Sequence, residues 1–485
     1  MRKILFIILI LFCCNPVFSE KYSKSISLIP KAQKLERFGN DFVLPQKVAI
    51  SFSNSKFKGF KNLKTQWTTF LLKKGFDLLP EKEAAYVFHI KLKQKKESKP
   101  EAYKLELDPN QTLIEASSQA GIFYALQSFK QLIYRQGEQN FLPRVKIEDE
   151  PRFQWRGMHL DVSRHFYPKA FIKRYIDYLA RYKFNVFHWH LVDGPAWRIE
   201  IKQYPRLTTV GAWRKDKRDS VWNWRATEIN EQGKQAGDYG GFYTQEDIRE
   251  IVAYAADRFV RVVPEIEMPG HSYAALLAYP EYACPTNDIK VDGLRGKDAF
   301  CVGNEGTYKF LQNILDEVIE LFPSKYIHIG ADEVYKKTWR ECPRCQAKKK
   351  ALGLKNEDEL QSSFVKRMES YLNKKGRSLL GWDEILQGGL APNAAVMVWR
   401  DEKFAREAIR QKRPVIMSPG THCYFDMYQG KAENEPKAIG GFIPLEKVYQ
   451  FEPIPRGISD AEAKLVLGGQ GNVWTEYMQT EEHVE

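Results

Sequence analysis

The sequence predicts a parallel (β/α)8 barrel preceded by a small α+β domain. Three observations carry that expectation. From Arg156 onward, eight short apolar runs alternate with amphipathic helical stretches. Acids, histidines and tryptophans gather just beyond those runs, where a barrel keeps its functional groups. A short proline-bounded polar connector, Pro143 to Pro151, separates this pattern from a different one upstream. The expected division is residues 1–19 as a signal peptide, 20–150 as the small domain and 151–485 as the barrel.

In the upstream part, Val48 to Phe52, Tyr86 to Lys91 and Tyr103 to Leu107 have strand character. Ala120 to Tyr134 has helical apolar spacing through Ile122, Leu126, Phe129 and Leu132. In the barrel, Gly157 to Val162 is the first strand, and a proline-started helix runs from Pro168 to Tyr182. Further strands are expected at Asn185 to Leu191, Val260 to Ile266, Tyr326 to Gly330 and Ser378 to Trp382. Val396 to Trp399, Val415 to Ser418 and Leu465 to Leu467 complete the eight. Helices Gln245 to Arg258, Thr307 to Phe322 and Asp358 to Lys374 fall between them. Strand eight lies close to Glu485, so the closing helix that such a barrel ordinarily carries is expected to be missing.

The residues that follow each strand define the candidate site. Asp161, Arg164 and His165 follow strand one, and His188 to Asp193 follow strand two. Glu265, Glu267 and His271 follow strand three; His328, Asp332 and Glu333 follow strand four. Trp382, Asp383 and Glu384 end strand five, and Trp399 and Arg400 end strand six. Tyr424 and Asp426 follow strand seven; Trp474 and Glu476 follow strand eight. Flat aromatic faces stack on sugar C–H surfaces while carboxylates grip hydroxyls, so this mixture suits a carbohydrate.

The 485 residues carry a net charge of +13. The basic residues are scattered along the chain and do not form an aromatic-interleaved stripe, so no nucleic-acid partner is expected. Arg2 and Lys3 precede the apolar run Ile4 to Cys14, and Val17-Phe18-Ser19 offers small residues for cleavage. Export to the periplasm or medium is expected, with a lipid anchor at Cys13 or Cys14 as the rival and no stable membrane span. Beyond that leader, Cys284 with Cys301 could close a loop. Cys342-Pro-Arg-Cys345 could close a small ring, or hold zinc were a second pair nearby. Cys423 is expected to be buried. His188, His190 and Asp193 lack a fourth ligand at suitable spacing, so neither a metal nor any other cofactor is expected.

In order along the chain, Arg156-Gly157-Met158-His159-Leu160-Asp161 through Arg164-His165-Phe166, then His188 to Asp193, Pro264 to His271, His328 to Glu333, Gly381 to Glu384 and Gly468 to Glu476 resemble glycoside hydrolase family 20, the β-N-acetylhexosaminidases. Ala331 stands where that family usually has glycine, and Gly194 where a second acid is frequent. The resemblance implies removal of terminal β-linked N-acetylglucosamine or N-acetylgalactosamine from oligosaccharides or glycoconjugates. It makes Glu333 the general acid, held partly protonated by burial and by Asp332, and Asp332 the partner of the acetamido N–H. Tyr424 would bind the acetamido oxygen. Glu267, His271 and Asp193 would support the acid pair. Arg156 would hold the 3- and 4-hydroxyls, and Asp426 and Glu476 the 4- and 6-hydroxyls. Trp382, Trp399 and Trp474 would wall the pocket. In this family the substrate's amide replaces the enzyme nucleophile. Two alternatives compete: a two-carboxylate retaining β-glycosidase with Asp426 as nucleophile, and a non-catalytic glycan-binding barrel. Neither oligomeric state nor the choice between the two sugars is legible.

Overall fold

The computed structural model describes residues 26–53, 60–93, 99–218, 227–285 and 298–485. The expected leader, residues 1–19, lies outside the described residues. The chain forms two compact units, residues 1–150 and 151–485. Among the described residues, no helix is long and apolar enough to cross a membrane.

The first unit is a seven-stranded mixed sheet with helices Phe60–Lys73 and Gln119–Leu132. Strand Tyr86–Leu92 shows why the sheet forms: alternate residues Tyr86, Phe88, Ile90 and Leu92 are buried and the others half-buried, the period-two signature of a strand. Ser118 caps the second helix by accepting from the Gly121 amide. One expectation fails here. Part of the connector Pro143 to Pro151 is a strand, Val145–Asp149, paired on both sides with Lys34–Arg37 and Tyr103–Asp108. Its inward residues, Val145 and Ile147, are too few to declare a period between two prolines. Strand Gln111–Ala116, central in the sheet, was also not foreseen.

The second unit is a closed barrel of eight parallel strands. In order they are Trp155–Asp161, Val186–His190, Arg261–Glu265, Tyr326–His328, Ser378–Trp382, Ala395–Val398, Val415–Met417 and Val466–Gly471. Strand one pairs with both strand two and strand eight, which closes the ring. The lumen is packed rather than hollow: Trp155, Val263, Leu380, Trp382, Met397 and Ile416 form one core cluster. Burying each such side chain contributes roughly 1.5–3 kcal/mol.

The outer helices start where their sequences provide caps. Thr244 and Asp247 form a reciprocal capping box at Gln245–Ala256. Asn356 caps Glu357–Lys374, whose first turn carries three acids that complement the helix dipole. After strand eight comes one short helix, Glu481–Val484, and Glu481 and Glu485 pair with Arg174 on the first barrel helix, Lys169–Arg181.

Candidate active site

The strand ends bring the polar groups together: Asp161, His190, Glu265, His328 and Trp382 close strands one to five. Strand four ends at His328, and the next turn is tight. Gly330, Ala331 and Glu333 all take positive φ, at 65°, 69° and 47°. A Cβ on Gly330 would sit 1.8 Å from Glu267 Oε1, so only glycine fits there. Ala331 and Glu333 adopt backbone angles that L-residues rarely hold, a cost concentrated where the acid pair is presented.

His271 faces the pair. Its Nε2 lies 3.6 Å from Asp332 Oδ2 and 3.8 Å from Glu333 Oε2, and its Nδ1 lies 3.4 Å from Asp193 Oδ1. Burial alone would lower the His271 pKa, but Asp193 and Asp332 hold it well above the ordinary value. Asp193 in turn is pulled well below the usual carboxylate range, where Arg164 and His271 outweigh burial. Glu267 behaves oppositely: burial and then the neighbouring Asp332 push it well above the usual carboxylate range. One expectation is corrected. Glu333 was expected to be buried, yet its side chain is 60 % exposed. It follows strand four and faces solvent.

The aromatic residues form a continuous wall. The Trp474 ring centroid lies 5.9 Å from Trp382 and 6.2 Å from Tyr424, and Tyr424 stacks on Trp399 at 6.0 Å and 22°. Trp382 Nε1 donates to Glu265 at 2.8 Å, and Trp399 Nε1 to Glu384 at 3.1 Å, which fixes both rings. Burial, then Asp426 and Asp332, push the Tyr424 hydroxyl well above its ordinary pKa, so it remains a donor.

At the far side, Arg164 lies 3.2 Å from Asp161, 2.9 Å from Asp193 and 3.7 Å from Glu476, with its guanidinium 5.2 Å from the Trp474 ring centre. Asp426 and Glu476 line a cleft of about 270 Å³. Asp332 Oδ1, Asp426 Oδ1, Glu476 Oε2 and Trp474 Nε1 are buried without a hydrogen-bond partner among the described residues. Four unpaired polar atoms around one basin are costly unless a polar ligand completes them.

Arg156 is not part of this site, and that expectation is corrected. It is the second residue of strand one, at the end opposite Asp161. Five residues of strand place it roughly 16 Å away. Its side chain donates to Lys183 and Phe153 carbonyls at 2.8 and 2.9 Å. Arg164 is the arginine in the pocket. The first strand's motif contains both, and only the direction of the strand distinguishes them.

Sequence reasoning also assigned no role to Glu265. Its oxygens lie 2.9 Å from His188 Nε2, 2.6 Å from His190 Nδ1 and 2.9 Å from His328 Nδ1. Burial would raise its pKa, but the three histidines hold it well below the usual range. His190, which also meets Asp193 at 2.9 Å, is pushed to about 10 by Glu265 and Asp193 against burial, whereas burial takes His188 down to about 4. The signal was present in the sequence: Glu265 ends an apolar strand beside strands ending in His190 and His328.

A parallel barrel with an acid pair, an aromatic wall and unpaired buried polar atoms at one mouth has the makeup of a glycoside hydrolase. Comparison with known proteins narrows that class. The catalytic-domain profile of glycosyl hydrolase family 20 matches residues 153–485, and the profile of the same family's domain 2 matches residues 25–150. A beta-hexosaminidase of Porphyromonas gingivalis is 41 % identical over 480 residues, covering 96 % of this chain and 59 % of its own length. One from Vibrio furnissii is 36 % identical over 467 residues, with 95 % and 74 % covered. The crystal structure of a Vibrio harveyi family 20 exo β-N-acetylglucosaminidase in complex with N-acetylglucosamine aligns with a TM-score of 0.81 at 32 % identity, over 93 % of this chain and 70 % of that one. That of β-N-acetylhexosaminidase from Bacteroides fragilis aligns at 0.77 and 31 %, over 94 % and 87 %. The chain belongs to glycosyl hydrolase family 20.

Proposed function

We propose that this chain is an exo-acting β-N-acetylhexosaminidase. It removes terminal, non-reducing β-linked N-acetylglucosamine or N-acetylgalactosamine with retention of configuration. The observation that supports this most directly is the pair Asp332–Glu333 beside an aromatic basin, with His271 facing both acids. The sugar's acetamido oxygen attacks the anomeric carbon while Glu333 gives its proton to the departing glycosidic oxygen. Asp332 accepts the acetamido N–H and stabilises the positive charge of the oxazolinium ring. Tyr424 donates to the acetamido oxygen, and Trp382, Trp399 and Trp474 enclose the group. Water then opens the ring with Glu333 as base. Asp426, Glu476 and Arg164 hold the hydroxyls at the closed end, which suits a chain-terminal sugar.

Attack by the enzyme itself fits less well. Burial and the adjacent Glu476 hold Asp426 well above the usual carboxylate range, which leaves it a poor nucleophile. A panel of nitrophenyl glycosides tests the choice. The N-acetylglucosaminide and N-acetylgalactosaminide should turn over and the glucoside should not. Asp332→Asn should lower kcat by about 100-fold or more, and Glu333→Gln by about 100- to 10,000-fold on poor leaving groups. Near-normal rates in Asp332→Asn would remove the assisted mechanism.

A further inference from the structure

Cys284 and Cys301 lie in the connection after strand three, and Cys342 and Cys345 in the connection after strand four. All four are buried thiols, and their sulfur atoms lie within 4.8 Å of one another. Cys284 is 3.8 Å from Cys345; Cys301 is 3.8 Å from Cys342 and 3.7 Å from Cys345. Sulfurs joined as disulfides lie about 2.05 Å apart. A tetrahedron with metal–sulfur bonds of about 2.3 Å sets its sulfurs about 3.8 Å apart. Those three separations match the tetrahedron's edge, and the remaining pairs lie within 4.8 Å.

We propose that these four cysteines form a structural zinc site, separate from the catalytic pocket. The surroundings suit close approach of two backbones. A Cβ on Gly303 would sit 2.2 Å from the Arg344 carbonyl carbon, so the first loop needs glycine to reach the second. Cys345 lies in the first turn of helix Pro343–Ala351, whose amide end favours thiolate. Binding is redox-neutral: Zn2+ replaces four thiol protons, which pass to solvent, and four Zn–S bonds form.

The location gives the site a purpose. The cysteines join the loop that carries His271 to the loop that carries Asp332 and Glu333. The same two loops are already stitched by Trp339 Nε1 donating to the Phe300 carbonyl at 3.0 Å. The Phe300 amide donates to Pro269 at 2.8 Å, and the Ser272 amide to Asp298 at 3.0 Å. A metal at the outer end of that ladder fixes the spacing between His271 and the acid pair.

Elemental analysis of the full chain, purified without chelator or reductant, tests this. A single bound zinc per chain is expected, released as the thiols are titrated with a mercurial. Cobalt(II) introduced in its place should give thiolate-to-metal charge-transfer bands and tetrahedral visible absorption. Cys342→Ser and Cys345→Ser should lose the metal, and Cys423→Ala should keep it. Should the serine variants fail to fold, the cobalt spectrum of the unaltered chain still decides. A metal-free chain overturns the proposal, whether its four cysteines prove to be free thiols or map as disulfides by mass spectrometry.

Discussion

His271 is the residue on which the local charges turn. It sits between Asp193 and Asp332, and as a cation it offsets both. Its folded pKa lies above the unfolded value of about 6.5. The stability it contributes is therefore fully present below about pH 6.5 and is lost as pH rises through the folded value. Comparing the Tm of the wild type with that of His271→Asn across pH checks this. The difference should be greatest in mild acid and shrink toward alkaline pH; a difference that grows with pH would reverse the sign. The identities of the acids were legible, because Asp332 and Glu333 follow an apolar strand. Their protonation was not. Whether an acid is pushed up, like Glu267, or held down, like Glu265, depends on which histidines and carboxylates meet it across strands that are far apart in sequence. Arg156 shows the same limit: a motif names residues without stating which end of the strand faces the ligand.

At the scale of elements, buried arginines hold the loops after strands one and two, with Arg214 donating to the Arg164 carbonyl and Arg198 to four others. Arg198 is fully buried and donates to the carbonyls of Val162, Ser163, Ala212 and Gly241 at 2.7–3.0 Å. Ala212 and Gly241 flank the hairpin Trp213–Lys215/Asp238–Gly240, and Val162 and Ser163 lead to Arg164. Replacing it strands several carbonyls at once. Arg198→Met should cost about 3–5 kcal/mol of stability by denaturant titration. The KM should rise as well, because Arg164 loses its backing; an unchanged midpoint would show that the loops hold without it. Nothing in the sequence marks Arg198, since its partners are backbone atoms contributed by four distant positions. The barrel strands themselves were legible, because parallel strands buried on both faces read as continuous apolar runs. The strand Val145–Asp149 was not, because two inward residues between prolines make no period.

For the whole molecule, the alternation of strands and helices specified a barrel, and order along the chain specified which mouth would carry the chemistry. The ring closes where strand one meets strand eight, Trp155 opposite Gly468 through Met158 opposite Gly471. Beyond that pairing, the Asp161 amide donates to Val473 at 3.0 Å, and Thr475 bonds back to Asp161 through its amide at 3.2 Å and its hydroxyl at 3.1 Å. Trp474 and Glu476 flank Thr475, so the clasp of the circle and the proposed bed for the sugar are one stretch of chain. An occupant gripping Trp474, Glu476 and Arg164 thus buckles the two ends of the barrel together. A thiazoline mimic of the bicyclic intermediate should slow deuterium uptake at Asp161 and Thr475 far more than in strand five. Equal slowing around the ring would mean that the buckle and the bed act apart. If they act as one, empty enzyme is weakest at its own fastening, and a diet of substrate helps keep the hoop shut.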